Sequence, residues 1–274
     1  MSSARHSQQA ALATFDSIAA QYDFIEAANP ILQWLRQRVQ RAASAVFKPQ
    51  ARLLEIGCGT GTDALFFARR GHHIVATDPS AEMLAIAREK ILHAGYEQQA
   101  AFAQAGVEQM PKLIEIYGRA SFDGIFSNFG ALNCAREMLG FAKCALQLLR
   151  PGGKLLMNVM PPICPWEIVY YFLKMNPHEA LRRWRGRTEN GGIAVRVGER
   201  LVQTYYHSLG NLKSLFEERF EIVAQFALGV LAPPPYLSRY HLLFRAMRWW
   251  DEKTSGWPLL RNMGDHVVLI MRRR

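Results

Sequence analysis

Cysteines are few in this sequence of 274 residues, and long apolar runs are missing. The four cysteines, Cys58, Cys134, Cys144 and Cys164, show no metal-site spacing and are too sparse for a disulfide scaffold. No window contains 18 uninterrupted apolar residues, and residues 1–6 are polar, unlike the start of a signal peptide. We therefore expect reduced thiols, no bound metal and a cytoplasmic protein.

Acidic residues are outnumbered by basic ones, 23 against 33, which gives a formal net charge of +10. A basic surface can neutralise nucleic-acid phosphates. However, the sequence has no block of lysine and arginine apart from Arg272–Arg274, and it lacks the signatures of the common nucleic-acid-binding modules. We therefore do not expect nucleic acid as a partner.

One short stretch organises the first half of the chain. The apolar run Leu53–Ile56 is followed by three alternate glycines, Gly57, Gly59 and Gly61, and then by a helical pattern. Glycine permits a positive φ and a close ligand approach, and the next helix begins with unpaired N–H groups. This pattern predicts a strand, a ligand-binding loop and a helix. Cys58 in the loop fits better as a small turn residue than as a nucleophile.

Two carboxylates beside this loop indicate the chemistry of the ligand. Glu55 lies in an otherwise apolar strand, where a buried carboxylate is costly unless it meets a cation, and a pyrophosphate would repel it. The second predicted strand, His73–Thr77, is followed by Asp78, whose carboxylate can accept both hydroxyls of a ribose. A ribose together with a cation indicates S-adenosylmethionine.

Three segments resemble the successive motifs of the class I S-adenosylmethionine-dependent methyltransferases of the small-molecule type: Leu53–Gly61, Ile74–Ser80 and Phe122–Asn128. The resemblance spans about residues 12–160 and the end of the chain. It implies S-adenosyl-L-methionine as cofactor and S-adenosyl-L-homocysteine as product. One motif departs, because Ala105–Gly106 stands where the family usually has Gly-Asp. The carboxylate that commonly caps the adenine amino group is therefore missing.

The resemblance also implies a cofactor role for residues around the strand ends. Glu55 would lie near the methionine amino group, Gly57–Gly61 along the methionine and ribose, and Asp78 at the ribose hydroxyls. Met83 would pack against adenine, and Tyr22, in a segment similar to the leader of many such enzymes, would close over the cofactor. The complete predicted set is Tyr22, Glu55, Gly57, Cys58, Gly59, Gly61, Asp78, Pro79, Met83, Gly106, Val107, Asn128, Phe129 and Gly130.

The fold class follows from the alternation of strand and helix patterns. It predicts an α/β, Rossmann-like, doubly wound sheet of seven mostly parallel strands with a terminal antiparallel strand. The predicted strands are Leu53–Ile56, His73–Thr77, Ala101–Gln104, Phe122–Ser127, Lys154–Val159, Glu221–Leu228 and Asp265–Met271. The predicted helices include Ala10–Asn29, Ile31–Ala45, Arg136–Leu149 and Leu212–Glu218.

Two insertions interrupt the predicted core, which comprises residues 1–160, 208–228 and 264–274. The insertions, 161–207 and 229–263, contain 13 of the 30 aromatic residues and an excess of basic residues. We expect them to emerge at the cofactor end of the sheet as a helical, aromatic lid. Such walls suit an aromatic or lipid-like acidic acceptor or a membrane surface. They also suit a homodimer interface or the core of a small cap.

Transfer to a hydroxyl requires the acceptor at near-attack distance and removal of its proton. Histidine is the usual base near neutral pH. His207, where the first insertion rejoins the core, and His241, in the second, are the candidates. Tyr206, with Tyr205 and Asn133, is a candidate for orienting the acceptor.

The sequence thus predicts in-line methyl transfer to a small or lipid-like organic acceptor, at oxygen rather than at nitrogen or carbon. One alternative is an RNA methyltransferase that uses the basic cap. The loop Ser127–Asn133 disfavours it, because amino-directed nucleic-acid enzymes carry an Asn/Asp-Pro-Pro-aromatic tetrapeptide there. A second alternative is a non-catalytic, cofactor-binding partner subunit. The intact Glu55, glycines and Asp78 favour cofactor binding but do not bear on turnover.

Overall fold

The computed structural model describes residues 2–198, 200–235 and 241–274, with the backbone alone for residues 2–12, 200, 241 and 243. The helices are α1 Ser2–Ala27, α2 Pro30–Val46, α3 Thr62–Ala68, α4 Ala81–His93, α5 Met110–Tyr117, α6 Met138–Leu148, α7 Pro165–Leu173, α8 Pro177–Ala180, α9 Arg182–Arg185, α10 Leu209–Phe216 and α11 His241–Thr254. The strands are β1 Arg52–Ile56, β2 His73–Asp78, β3 Ala100–Gln104, β4 Phe122–Ser127, β5 Leu149–Val159, β6 Ile193–Val197, β7 Arg200–Thr204, β8 Phe220–Leu228 and β9 His266–Arg273.

Seven strands form the central sheet in the order β3-β2-β1-β4-β5-β9-β8. The five strands β1 to β5 are parallel, and β9 runs antiparallel to both of its neighbours, β5 and β8. This confirms the predicted fold class and the terminal antiparallel pair. Every predicted strand of the core is present, although β5 begins at Leu149 instead of Lys154.

The central strands of the sheet are buried on both faces. Successive side chains of these strands point to opposite sides, so each strand contributes to two apolar clusters. In β1, Leu53 packs with the cluster that includes Phe67 of α3, whereas Leu54 packs with the opposite cluster that includes Phe141 of α6. Capping defines where the covering helices start. Asn29 accepts hydrogen bonds from the N–H groups of the first turn of α2, and Ser80 caps α4 in the same way. Because α4 starts three residues after the end of β2, it begins close to the carboxyl end of that strand.

The first insertion contains the short helices α7 to α9 and an antiparallel hairpin, β6–β7, that the sequence analysis did not predict. The hairpin packs along α1 through β7. Its Gly198 approaches α1 so closely that a Cβ at this position would lie 2.8 Å from Ile18 Cγ2. The insertion thus supports the outer side of α1.

The second insertion contains α11, which packs against α2. The rings of Trp34 and Phe244 lie 5.5 Å apart at 73°, and Arg38 Nη1 lies 3.1 Å from Asp251 Oδ2. This insertion extends the helical layer on one side of the sheet. Across the described part of the chain, no helix is both long and apolar enough to cross a membrane.

Candidate functional site

A cavity of about 430 Å³ opens at the carboxyl ends of β1, β2 and β4. Ligands of open α/β sheets bind at this edge. Thirteen of the fourteen residues predicted to bind the cofactor line this cavity, and the exception, Gly61, precedes α3 with a φ of 78°. Among the described residues of the two insertions, none lines the cavity. Its wall comes from α1, α2, the first turns of α3 and α4, and the loops after the parallel strands.

The glycine loop lines the cavity. Its backbone conformation and its close packing require glycine. Gly57 and Gly59 have φ values of 72° and 52°, in the left-handed region. A Cβ at Gly57 would lie 2.2 Å from Ala131 Cβ, whereas one at Gly59 would meet nothing within 4 Å. Gly57 therefore allows close packing of two loops, and Gly59 leaves the main chain open to a ligand.

Asp78 is held rigidly at the end of β2. Its carboxylate accepts hydrogen bonds of 2.9 Å from the N–H groups of Gly59 and Ser80. Burial raises the pKa of Asp78, and these two hydrogen bonds oppose the shift. The carboxylate thus joins the glycine loop to the start of α4 and lines the cavity between them.

Glu55 is buried, and its Oε2 has no hydrogen-bond partner among the residues that the structure describes. Burial raises the pKa of Glu55 well above its usual value; Asp63 raises it further, while Arg36 lowers it. A buried carboxylate oxygen without a donor is costly. The cavity therefore presents an acceptor that suits a cationic ligand.

Asp63, which the sequence analysis did not single out, is a second carboxylate at this wall. It accepts hydrogen bonds from the guanidinium of Arg36, from Gln40 Nε2 at 2.7 Å and from Asn128 Nδ2 at 2.9 Å. These donors come from α2 and from the loop after β4. The sequence signal that could have identified Asp63 is its position in the first turn of the helix after a glycine loop, because carboxylates stabilise helix N-termini.

Among the described residues that line the cavity, Arg36 is the one cationic side chain, against the four carboxylates of Glu55, Asp63, Asp78 and Glu108. Its guanidinium also binds Glu26 and lies 4.5 Å from the centroid of the Phe129 ring. Although burial lowers the pKa of Arg36, Asp63 and Glu26 raise it on balance. The lining therefore carries an excess of acidic groups.

Helix α1 covers the cavity and contributes Tyr22 to its lining. Two carboxylates attach the helix. Asp16 accepts a hydrogen bond from the Ser80 hydroxyl, and Asp23 pairs with Lys90 at 2.7 Å. Burial raises the pKa of Tyr22. Helix α1 is thus held over the cavity by polar contacts to α4 and to its N-cap residue. The sequence pattern of α1 does not predict these contacts.

The structure does not bring His207 to the cavity. This histidine is buried, with Nδ1 2.9 Å from Thr188 Oγ1 and Nε2 3.1 Å from the Leu132 carbonyl oxygen. Burial lowers the pKa of His207. Both ring nitrogens are engaged in holding the insertion to the loop after β4. This geometry does not favour the predicted role of general base.

The other predicted catalytic residues do not line the cavity, or their side chains lie outside the described residues. Tyr206 is buried beside Arg183, whose guanidinium lies 5.5 Å from its ring centroid. Asn133 Nδ2 donates to the carbonyls of Met160 and Tyr205, so its role is to join three segments. His241 is the first residue of α11, and its side chain lies outside the described residues.

A different histidine, His266, contacts the cavity wall. Its ring lies 5.8 Å from that of Phe129, which lines the cavity and has a left-handed φ of 48°. A non-glycine residue in this region is strained, as is common at functional sites. His266 is the first residue of β9, and because β9 is antiparallel to β5, it lies at the cavity edge of the sheet.

The side chain of His266 is oriented by a buried carboxylate. Its Nδ1 lies 3.1 Å from Asp265 Oδ2, and the other oxygen of Asp265 accepts a hydrogen bond of 2.7 Å from Arg183. Although burial raises the pKa of Asp265, His266 and Arg183 lower it on balance. Within residues 2–198, 200–235 and 241–274, the His266 side chain forms its hydrogen bond at Nδ1, and none is formed at Nε2. The Asp-His pair was visible in the sequence.

Known proteins resemble this chain in sequence. A family model described as a methyltransferase domain matches residues 53–153. A demethylmenaquinone methyltransferase of Beutenbergia cavernae is 28% identical over 163 residues, which cover 58% of this chain and 62% of that protein. A ubiquinone/menaquinone biosynthesis C-methyltransferase of Geotalea daltonii is 30% identical over 176 residues, 60% of this chain and 70% of that protein. The chain thus spans less than two thirds of the length of the first relative.

Solved structures share the fold at low sequence identity. An S-adenosylmethionine-dependent methyltransferase of Methanosarcina mazei superposes with a TM-score of 0.57 at 18% identity, covering 84% of this chain and 96% of that one. Another, from Mesorhizobium loti, has a TM-score of 0.53 at 19% identity, covering 85% and 96%. At these identities the likeness bears on the fold alone.

Proposed function

We propose that this chain, which belongs to the class I S-adenosylmethionine-dependent methyltransferases, transfers a methyl group to a small or lipid-like aromatic acceptor that carries a hydroxyl. The observation that carries the cofactor assignment is the cavity lining: among the residues that the structure describes, it contains four carboxylates and one guanidinium, and none of them donates a hydrogen bond to Glu55 Oε2. A ligand with an ammonium and a sulfonium group matches this charge balance. The residues present therefore fit the cofactor.

Each part of the cavity has a distinct role in this proposal. Glu55 would accept from the ammonium group, Asp78 would accept from the ribose hydroxyls, and the open main chain at Gly59 would leave room for the ligand. Met83 and Val107, which are buried and line the cavity, would pack against adenine. When bound, S-adenosyl-L-methionine supplies the methyl group and leaves as S-adenosyl-L-homocysteine. Helix α1 excludes water through Tyr22.

His266 is the group that we propose removes the proton of the acceptor hydroxyl. A neutral ring with its proton on Nδ1 donates to Asp265 and leaves the lone pair of Nε2 available. The ionised Asp265, which Arg183 stabilises, favours this tautomer and the protonated ring that follows. Asp265 therefore positions the base and does not itself contact the acceptor.

We propose oxygen as the atom methylated, as the sequence analysis predicts, with a ring carbon as the second candidate. The second candidate is supported by the relative named a C-methyltransferase of ubiquinone and menaquinone biosynthesis. Removal of a phenolic proton places negative charge on the oxygen and on the adjacent ring carbons. The same base would thus serve both reactions, and analysis of the product distinguishes them.

The acceptor class and the compartment are part of the same proposal. The relative named a demethylmenaquinone methyltransferase supports an apolar, aromatic acceptor. The four cysteines are unpaired thiols, which supports a reducing cytoplasm. The test is an acceptor screen with methyl-labelled S-adenosylmethionine, reduced demethylmenaquinone, simple phenols and RNA. Transfer to a phenol or quinol supports the proposal. Labelling of RNA alone, or binding without any transfer, would favour one of the two alternatives.

The affinity for S-adenosylmethionine is expected to rise with pH until Glu55 is ionised in the free protein. Burial raises the pKa of Glu55, whereas a bound cation favours its charged form, so binding releases a proton. Calorimetry in buffers of different ionisation enthalpy measures this proton. Glu55→Gln should bind more weakly and release fewer protons. Glu97→Gln, at an exposed glutamate, is the control, and equal proton release from the two variants would contradict the assignment.

A further inference from the structure

Large apolar side chains of α11 and of the segment after it are exposed to solvent. Trp249 and Trp250 are each 57% exposed and Trp257 is 58% exposed, while Leu242 and Leu259 are 70% and 81% exposed. We call these five residues the tryptophan face. Scattered exposed apolar residues are common, but three exposed tryptophans close together in the chain, two of them with ring centroids 4.7 Å apart, indicate an interaction surface.

The packing of α11 turns Leu242 and Trp249 of this face outward. Phe244 packs edge-on against Trp34 of α2, and the fully buried Asp251 bonds to Arg38. Asp251 also accepts a hydrogen bond of 2.7 Å from the N–H of Leu231. On a helix of 3.6 residues per turn, the side opposite Phe244 and Asp251 holds Leu242 and Trp249. The core contacts of α11 are thus complete without these residues.

Three cationic side chains are exposed on the same helix as Trp249 and Trp250. Arg245, Arg248 and Lys253 are exposed, and Lys253 Nζ lies 5.8 Å from the ring centroid of Trp249. The two acidic residues of α11 are engaged toward α2, because Asp251 is buried and Glu252 accepts a hydrogen bond of 2.7 Å from Trp34 Nε1. The face therefore presents net positive charge.

We propose that the tryptophan face docks on the surface of an anionic lipid bilayer. Tryptophan prefers the membrane interface, where its ring lies among acyl chains and its N–H remains hydrated. Lysine and arginine beside it bind lipid phosphates, and exposed leucines enter the apolar layer. Docking would bring the protein to the place where a lipid-like acceptor dissolves, so the inference extends the proposed function.

Like charge disfavours a second copy of this chain on the face, and the exposed leucines disfavour nucleic acid. In a two-fold dimer the same surface meets itself, which would place Arg245, Arg248 and Lys253 of two copies together. A single-stranded nucleic acid would use the tryptophans for base stacking, but it offers nothing apolar to Leu242 and Leu259. A bilayer satisfies the cations, the rings and the aliphatic side chains at once.

The test is co-sedimentation of the full chain with vesicles, without cofactor or acceptor, so that its outcome does not depend on the proposed reaction. We expect binding to vesicles that contain phosphatidylglycerol, with a blue shift of tryptophan emission, and little binding to phosphatidylcholine alone. Arg245→Gln/Arg248→Gln should lower the partition coefficient roughly 30-fold, because each basic residue near an anionic surface contributes about 1 kcal/mol. Trp249→Ala/Trp250→Ala should weaken binding at every salt concentration.

Two control variants carry matched changes elsewhere. Arg69→Gln/Arg70→Gln removes the same charge from another exposed site, and Ile116→Ala removes an exposed apolar side chain from α5. Both should bind as the wild type does. Equal loss in the control and tryptophan-face variants would overturn the proposal, as would binding that ignores lipid charge. A dimer that the tryptophan-face variants dissociate, or retention of single-stranded RNA in place of vesicles, would assign the face to another occupant.

Discussion

Replacing His266 with alanine is expected to lower kcat for methyl transfer to a phenolic acceptor by about 10²- to 10⁴-fold, the usual contribution of a positioned general base. The reason is geometric. Within the described part of the chain, the His266 ring bonds to Asp265 through Nδ1 and forms no hydrogen bond at Nε2, and the ring contacts Phe129 at the cavity wall. The dissociation constant of S-adenosylmethionine should change little, because His266 does not line the cofactor cavity.

Added imidazole separates a chemical role of His266 from a structural one. It should restore part of the activity of His266→Ala, since it can occupy the vacated space and accept the proton. The matched variant is His207→Gln, at the histidine whose two ring nitrogens already bind Thr188 and Leu132. It should cost stability but retain kcat in the folded protein. A large kcat loss in His207→Gln, with none in His266→Ala, would reverse the assignment.

Replacing Arg36 with leucine should lower the free energy of unfolding by about 3–5 kcal/mol, because it leaves buried carboxylates without their cation. Arg36 joins Glu26 of α1, Asp63 of α3 and the Phe129 ring. Its loss would therefore loosen three elements around the cavity at once. Urea unfolding followed by circular dichroism measures the change.

Arg41→Leu is the control for this change, because it makes the same substitution in the same helix. Arg41 is 65% exposed and pairs with Glu252 at 3.4 Å. Exposed ion pairs contribute roughly 0–1 kcal/mol, so the expected effect is small. Equal destabilisation by the two variants would show that the buried ion pairs of Arg36 contribute no more to the free energy of unfolding than an exposed ion pair does.

The core of the fold could be predicted because its signals are local. Leu53–Ile56 reads as a buried strand, and the glycines after it are required by positive φ values and by the close approach of Ala131 to Gly57. Such constraints act over a few residues. The same holds for Asp78, whose position after an apolar strand placed it at the cavity edge.

The remaining features depend on partners that are distant in the chain. The Trp34 side chain bonds to Glu252, 218 positions later, so no local pattern indicates that α11 packs on α2. The sequence predicts His207 as the general base, but its Nε2 is engaged by the Leu132 carbonyl, 75 positions earlier in the chain. The hairpin β6–β7 was missed although β-branched residues recur at every second position in Ile193–Val197, because a lid rich in aromatics was expected to be helical.

The central claim, that the cavity binds S-adenosylmethionine, is tested most directly by calorimetric titration of the wild type and Asp78→Ala with S-adenosylmethionine and S-adenosylhomocysteine. Asp123→Ala, at a partly exposed aspartate near the opposite end of the sheet, is the control. The account predicts binding on the order of micromolar that Asp78→Ala weakens by roughly 1–3 kcal/mol, the cost of unpaired polar groups, and that the control retains. A folded wild type that binds neither ligand, or Asp78→Ala with wild-type affinity, would contradict it.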